Sequence, residues 1–304
     1  MGEPHAARRP VRRPRRRLGR RLRRPRGQAA RPPGAVQANF QAESERAARE
    51  EEIAGADRAR QEQLRGRIQR LINGEGLDVA LQPIVDLATG RIVGAEALAR
   101  FTDADGSAIA TEECFLDAHL MDLGTELELA TIRLALSSHG RLPDGGYLAV
   151  NASPALLARD ELKQLLRRHA EPPLVLELTE HQPVEDYVAL ADALDELRRY
   201  GVRVAIDDVG SGFSSFRHVT RVNPEILKLD RSLVCGIDGD PVRQSRAAAI
   251  VAFAADVGAT VVSEGIESEE ELACLRELAV GLGQGFFLGR PNLGTVADRV
   301  AEPV

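Results

Sequence analysis

From residue 74 onward, short apolar runs alternate with stretches whose apolar positions recur at helical spacing. The runs 79–85, 91–100, 147–151, 174–178, 202–207, 226–229, 260–263 and 285–288 are rich in valine, isoleucine and leucine, and read as strands. Between them, 126–138, 160–169, 187–200, 245–257 and 268–278 carry helical patterns. Eight strands with intervening helices over about 230 residues is the scale of a (β/α)8 barrel in the α/β class. An open doubly wound sheet is the competing arrangement.

Upstream the pattern changes twice. Residues 1–36 alternate arginine with proline and have no apolar periodicity, which predicts a disordered leader. No apolar core follows the paired arginines, so neither a secretory nor a twin-arginine signal is expected. Residues 37–73 read as a charged helix. Leu64, Ile68 and Leu71 follow the four-then-three spacing of a coiled-coil seam, but Asp57 and Gln61 fall on the same seam. Any coiled coil is therefore confined to the last turns, and a single charged helix is the alternative. Gly74 and Gly76 then mark the start of the main domain, 74–304.

Polar residues recur where the predicted strands end, the face on which a barrel collects its chemistry. Val204-Ala205-Ile206-Asp207-Asp208-Val209-Gly210 delivers two adjacent carboxylates into a glycine-broken loop. Two dry, ionised aspartates repel each other, so a cation is expected beside them unless the pair is a solvated turn. Glu96 lies in the second strand, Asn151 ends the third, Glu177 the fourth, Lys228 and Asp230 the sixth and Glu264 the seventh; Gln284 opens the eighth. Carboxylates and an amide oxygen suit Mg²⁺ or Mn²⁺, and without a histidine a zinc centre is disfavoured. A donor cluster large enough for two such ions points to phosphoester hydrolysis, with Lys228 holding the attacking water or offsetting developing charge.

Composition refines this picture. A 43% hydrophobic content over 304 residues supports a substantial core. Cys114, Cys235 and Cys274 form no Cys-x-x-Cys pair, which indicates neither a disulfide framework nor a thiolate metal site and fits a reducing cytoplasm. No run approaches the roughly 18 apolar residues of a membrane span. The net charge of −6 conceals an asymmetry: residues 1–34 carry 13 arginines against Glu3, a formal +12, which leaves the remainder at −18. So acidic a body argues against nucleic-acid binding by the globular domain, and an anionic substrate would need cations at its site.

The ordered motifs resemble those of the EAL-domain family of cyclic di-GMP phosphodiesterases. They are Gln82-Pro83-Ile84-Val85, Glu96-Ala97-Leu98-Ala99-Arg100, Asn151-Ala152-Ser153-Pro154, Glu177-Leu178-Thr179-Glu180, Asp207-Asp208-Val209-Gly210-Ser211-Gly212, Lys228-Leu229-Asp230, Glu264-Gly265-Ile266-Glu267 and Gln284-Gly285. The resemblance implies a barrel with an irregular, antiparallel first strand. It implies one ion on Glu96, Asn151, Glu177 and Asp207, and a second that shares Asp207 with Asp208 and Glu264. It further implies that Lys228 orients the water, with Glu264 a candidate general base. Gln82, Arg100, Asp230, Glu267 and Gln284 would complete the substrate site, Arg100 at a phosphate. Glu180 would anchor the loop after Asp208. The implied reaction opens cyclic di-GMP to linear pGpG, and a homodimer is expected. Departures such as Leu81, Phe101, Val209 and Ser263 fall outside the expected ligands. A receptor that binds cyclic di-GMP with little or no turnover, and an unrelated metal-dependent barrel lyase, are the alternatives.

Overall fold

A computed structural model of the chain describes residues 33–169, 173–179, 186–210 and 215–297. The apolar runs become β1 (Leu77–Asp86), β2 (Ile92–Thr102), β4 (Tyr147–Asn151), β5 (Leu174–Thr179), β6 (Arg203–Val209), β7 (Ile226–Leu229) and β8 (Thr260–Ser263), with two-residue strands β3 (Ala108–Ile109) and β9 (Leu282–Gly283). Helix α1 (Pro33–Ile72) precedes them. Helices α2 (Thr111–Leu120), α3 (Gly124–Ser137), α4 (Pro154–Leu157), α5 (Asp160–Arg168), α6 (Tyr187–Arg198), α7 (Ser215–Val222), α8 (Arg231–Val234), α9 (Pro241–Val257) and α10 (Glu269–Glu277) occupy the connections. No described helix is long and apolar enough to cross a membrane.

Eight strands close a ring in the order β1-β9-β8-β7-β6-β5-β4-β2, with β1 returning to β2 and β3 lying outside on the β2 edge. β1 runs antiparallel to both neighbours, whereas the other contacts around the ring are parallel. This is the expected α/β barrel with an inverted first strand. The closing strand, however, is Leu282–Gly283 and not 285–288. Gly285 packs so tightly on Ile266 that a Cβ there would lie 2.1 Å from the Ile266 carbonyl oxygen. The chain therefore turns at Gly285, and Leu288 N–H donates back to the Gly285 carbonyl at 3.1 Å.

The two-residue period of the strands sorts side chains into two layers. Leu148, Val150, Leu176, Val204, Ile206, Leu227, Leu229 and Val261 belong to the large core between barrel and helices. Ile84, Tyr147, Ala149, Val175, Ala205, Ile226 and Val262 form a separate apolar plug. Ser263 is an exception in these dry layers, fully buried with no protein partner for its hydroxyl among the described residues. Because an unsatisfied buried hydroxyl is costly, Ser263→Ala is expected to raise stability by about 1 kcal/mol, read as a higher urea midpoint at unchanged m.

Helix α1 begins at Pro33, ahead of the expected boundary at 37. Contacts group Met1–Ala56 and Asp57–Val304 as separate units. Within the second unit, Ile68 and Leu71 are fully buried with Phe101, Cys114, Ala118 and Leu127, so these two seam positions pack within the chain. Arg70 donates to Asp103 at 2.8 Å, and Arg67 pairs with Asp117. Burial in this cluster pushes the Cys114 thiol up to about 12, whereas Cys235 is exposed. The native thiol therefore stays protonated while an unfolded one ionises near 8.5, so this group removes stability as pH rises between those values. At pH 8, thiol titration of the native protein is expected to modify Cys235 quickly and Cys114 only on unfolding.

Candidate functional site

Continuing the same alternation by one step changes the chemistry. Two residues beyond the plug positions Ala149, Val175, Ala205, Ile226 and Val262 stand Asn151, Glu177, Asp207, Lys228 and Glu264. In the antiparallel β1 the order reverses: Gln82 precedes Ile84, and it pairs in register with Glu96 of β2. A polar ring thus rests on an apolar floor. Gln82, Glu96, Glu177, Asp207, Lys228 and Gln284 are all buried.

Lys228 is the hub. Its side chain is 1% exposed, and its Nζ lies 2.6 Å from Glu264, 2.7 Å from Glu177, 3.4 Å from Asp207 and 3.6 Å from Glu96. Burial alone would pull the ammonium down, but the surrounding carboxylates, Glu177 foremost, hold it well above its ordinary value. Glu177 is driven far up by burial and then by the Glu96 charge, against Lys228. Burial likewise pushes Glu264 up to about 8 despite Lys228. Glu96 is held down in spite of burial, because Lys228 and hydrogen bonds from Gln284 and Asn151 favour its charge. Those donors lie at 2.6 Å and 3.1 Å.

Strict alternation would point Asp208 away from Asp207. Instead, the β6–β7 register breaks between Ile206 and Val209, and Asp208 takes a left-handed φ of +59°. Such a bulge re-aims a side chain at modest conformational cost. As a result, Asp207, Asp208 and Glu264 each offer an oxygen within 4.8 Å of the others.

This donor set fits divalent cations. Four carboxylates, from Glu96, Glu177, Asp207 and Glu264, face the ammonium of Lys228, and Asp208 adds a fifth beside Asp207 and Glu264. The buried Oε1 of Gln284 has no protein partner among the described residues. Hard oxygen donors in charge excess are the environment that Mg²⁺, Mn²⁺ or Ca²⁺ satisfies.

Two cavities open beside the ring. One, of about 250 Å³, is lined by Gln82, Asp207, Arg231, Glu264, Glu267 and Phe286 among others. The other, of about 800 Å³, has Leu98, Arg100, Phe115, Glu128, Asn151 and Glu177 on its walls. Gln82 donates to the Gly289 carbonyl at 3.2 Å, and its own oxygen is 3.4 Å from Gln284 Nε2. Arg100, exposed on the second cavity, donates to its own neighbour, the Ala99 carbonyl, at 2.9 Å. The Asp230 carboxylate is taken up in capping α8, accepting from Ser232 N–H at 3.0 Å, and Asp230 lines neither cavity. Glu180 lies outside the described residues.

Sequence patterns gave no notice of two further residues. Glu128 looks like a solvated helical acid, yet it lines the larger cavity, and its carboxylate accepts Ser153 N–H at 2.9 Å. Burial pushes it up. Phe286, 47% exposed, has the Arg290 guanidinium 4.3 Å from its ring centroid.

Comparison with known proteins agrees with this geometry. The family model described as the EAL domain matches residues 65–291. A relative named probable cyclic di-GMP phosphodiesterase PdeB, from Escherichia coli K12, is 31% identical over 233 residues, covering 74% of this chain and 44% of that protein. The chain thus spans less than half the length of this relative, and only about a third of several others. The solved PaMucR phosphodiesterase in complex with cyclic di-GMP superposes with a TM-score of 0.66 at 30% identity, over 76% of this chain and 97% of that one. Klebsiella pneumoniae BlrP1 with calcium and cyclic di-GMP gives a TM-score of 0.63 at 31% identity, over 72% and 56% of the two chains. With the family match running through every strand of the barrel and every residue of the polar ring, the chain belongs to the EAL domain family.

Proposed function

We propose that the barrel hydrolyses cyclic di-GMP to linear pGpG, using two divalent cations, Mg²⁺ or Mn²⁺. The observation that carries this reading is the convergence of Asp207, Asp208 and Glu264 beside Lys228, with the 800 Å³ cavity adjoining. Glu96, Asn151, Glu177 and Asp207 would hold one ion, and Asp207, Asp208 and Glu264 the other. When bound, the ions supply charge for the phosphoryl oxygens and bring water toward ionisation near neutral pH.

The chain's own groups do the rest. Lys228, held between Glu177 and Glu264, donates to the attacking water and then to the oxygens of the phosphorane. Glu264 takes the proton that the water gives up. The P–O3′ bond breaks as the new P–O bond forms in line, and the departing O3′ takes up a proton from solvent water, so one phosphodiester becomes a 5′-phosphate and a 3′-hydroxyl. Arg100 offers its guanidinium fork to the reacting phosphate. For the bases, the larger cavity presents Phe115 and Leu98 as apolar walls and Glu128 as an acceptor for the N1–H and N2–H edge of guanine. Phe286 with Arg290 forms a stacking surface at the opposite rim. The expected homodimer belongs to the same proposal, and sedimentation checks it.

Incubating the purified chain with cyclic di-GMP and Mg²⁺ or Mn²⁺ should give pGpG by chromatography, and chelation should stop it. Tight binding without pGpG under any divalent cation would instead identify a receptor, and failure to bind at all would leave the dinucleotide reading without support.

A further inference from the structure

Arg231, the first residue of α8, occupies a place at the mouth that neither the metal set nor the reaction above uses. Its stem lies across Gly265: a Cβ at that glycine would sit 2.4 Å from Arg231 Cγ, and the glycine's φ is +70°. The turn that begins with Glu264 therefore takes a left-handed, side-chain-free form where the arginine crosses it. Arg231 lines the same 250 Å³ cleft as Asp207, Glu264 and Glu267, and its guanidinium meets Glu267 at 2.7 Å. Both partners are substantially exposed, at 61% and 43%, and so open an ion pair adds little to folding stability. That hydrogen bond also engages only one of the five N–H donors of a guanidinium.

The charge balance of the site suggests a use for this arginine. The floor of the cleft carries excess negative charge, and a cyclic dinucleotide brings two more, one on each phosphodiester. When one phosphodiester lies over Asp207, Asp208 and Glu264, the ring carries the second away from them. That second group leaves water for a cleft walled by carboxylates and needs a cation of its own. Arg100 faces the larger cavity, and Arg231 faces the smaller one.

We infer that Arg231 is a substrate-positioning residue that grips the phosphodiester not being cleaved, with Glu267 presenting its guanidinium toward the cleft. This rests on the cyclic dinucleotide reading of the site. A bidentate guanidinium contact to phosphate is directional and charge-assisted, so its loss weakens binding more than it slows the bond-breaking step.

The test compares Arg231→Ala and Arg231→Lys with the wild-type chain, using cyclic di-GMP and Mn²⁺. Arg231→Ala is expected to raise KM about 10- to 100-fold with kcat within about threefold, and Arg231→Lys to recover part of the loss. The melting temperature and its rise with Mn²⁺ should not move, which a merely structural role would not predict. A cyclic diguanylate carrying one neutral methylphosphonate linkage should bind the wild type more weakly, with no further loss in Arg231→Ala. An unchanged KM, a fall in kcat with KM unaltered, or fully additive losses with the methylphosphonate would each overturn the inference. Absence of pGpG from the wild-type chain would instead sink the parent reading, and this one with it.

Discussion

Asp207→Asn is expected to abolish hydrolysis while making the metal-free protein more stable. The two effects share one cause. Four carboxylates surround one ammonium and Asp208 stands beside two of them, so Asp207 is held in place against the repulsion of its neighbours. Removing the Asp207 charge relieves that repulsion, and the melting temperature of the chelated protein should rise by a few degrees, roughly the effect of 1 kcal/mol in a domain of this size. The same substitution removes the carboxylate expected to serve both ions, and kcat should fall by about 10³-fold or more. Wild type should gain stability on adding Mn²⁺, and Asp207→Asn should gain much less. Calorimetry with and without cation, beside the pGpG assay, reads all three. Retained turnover would mean that the site is misplaced, and a lower melting temperature without metal would mean that the charge excess is not as drawn.

Lys228→Met should behave in the opposite sense. The side chain is 1% exposed and reaches four carboxylates, three of which, Glu96, Glu177 and Asp207, are themselves buried. Methionine fills the volume but leaves those acids uncompensated, and breaking a buried ionic cluster from one side costs about 3–5 kcal/mol. The metal-free melting temperature should therefore drop by roughly 10 °C, with Mn²⁺ restoring part of it by supplying the missing positive charge. Turnover should fall about 10²- to 10³-fold in kcat, with KM changed far less, because in the proposed reaction the ammonium acts on the water and on the charge that develops at phosphorus. An unaltered kcat beside a raised KM would contradict this role for Lys228. So would a melting temperature that does not respond.

The opposite signs of these two substitutions rest on a ring that is legible in the sequence. Asn151, Glu177, Asp207, Lys228 and Glu264 each close or follow an apolar run, and in a parallel barrel the ends of successive strands meet at one mouth. That much follows from local periodicity, since a buried strand of known direction leaves its polar terminus only one place to go. The apolar plug beneath them is the same alternation read two residues earlier.

Other features depend on contacts between residues far apart in the chain, which no local pattern records. The apolar run 285–288 predicts the eighth strand, whereas Gly285 packed on the Ile266 backbone forces a turn and leaves Leu282–Gly283 to close the ring. Ile68 and Leu71 read equally well as a seam for a second helix, until Phe101 and Leu127 are found against them. Glu128 shares its pattern with any solvated helical acid; only the packing of α3 beside the Ser153 turn half-buries it. Adjacent residues on a strand face opposite ways, so the sequence determined that Asp207 and Asp208 stand together but not that both reach Glu264. The register break and the left-handed backbone of Asp208 decided that, because their geometry is set by how β6 meets β7 and not by the residues of β6 alone.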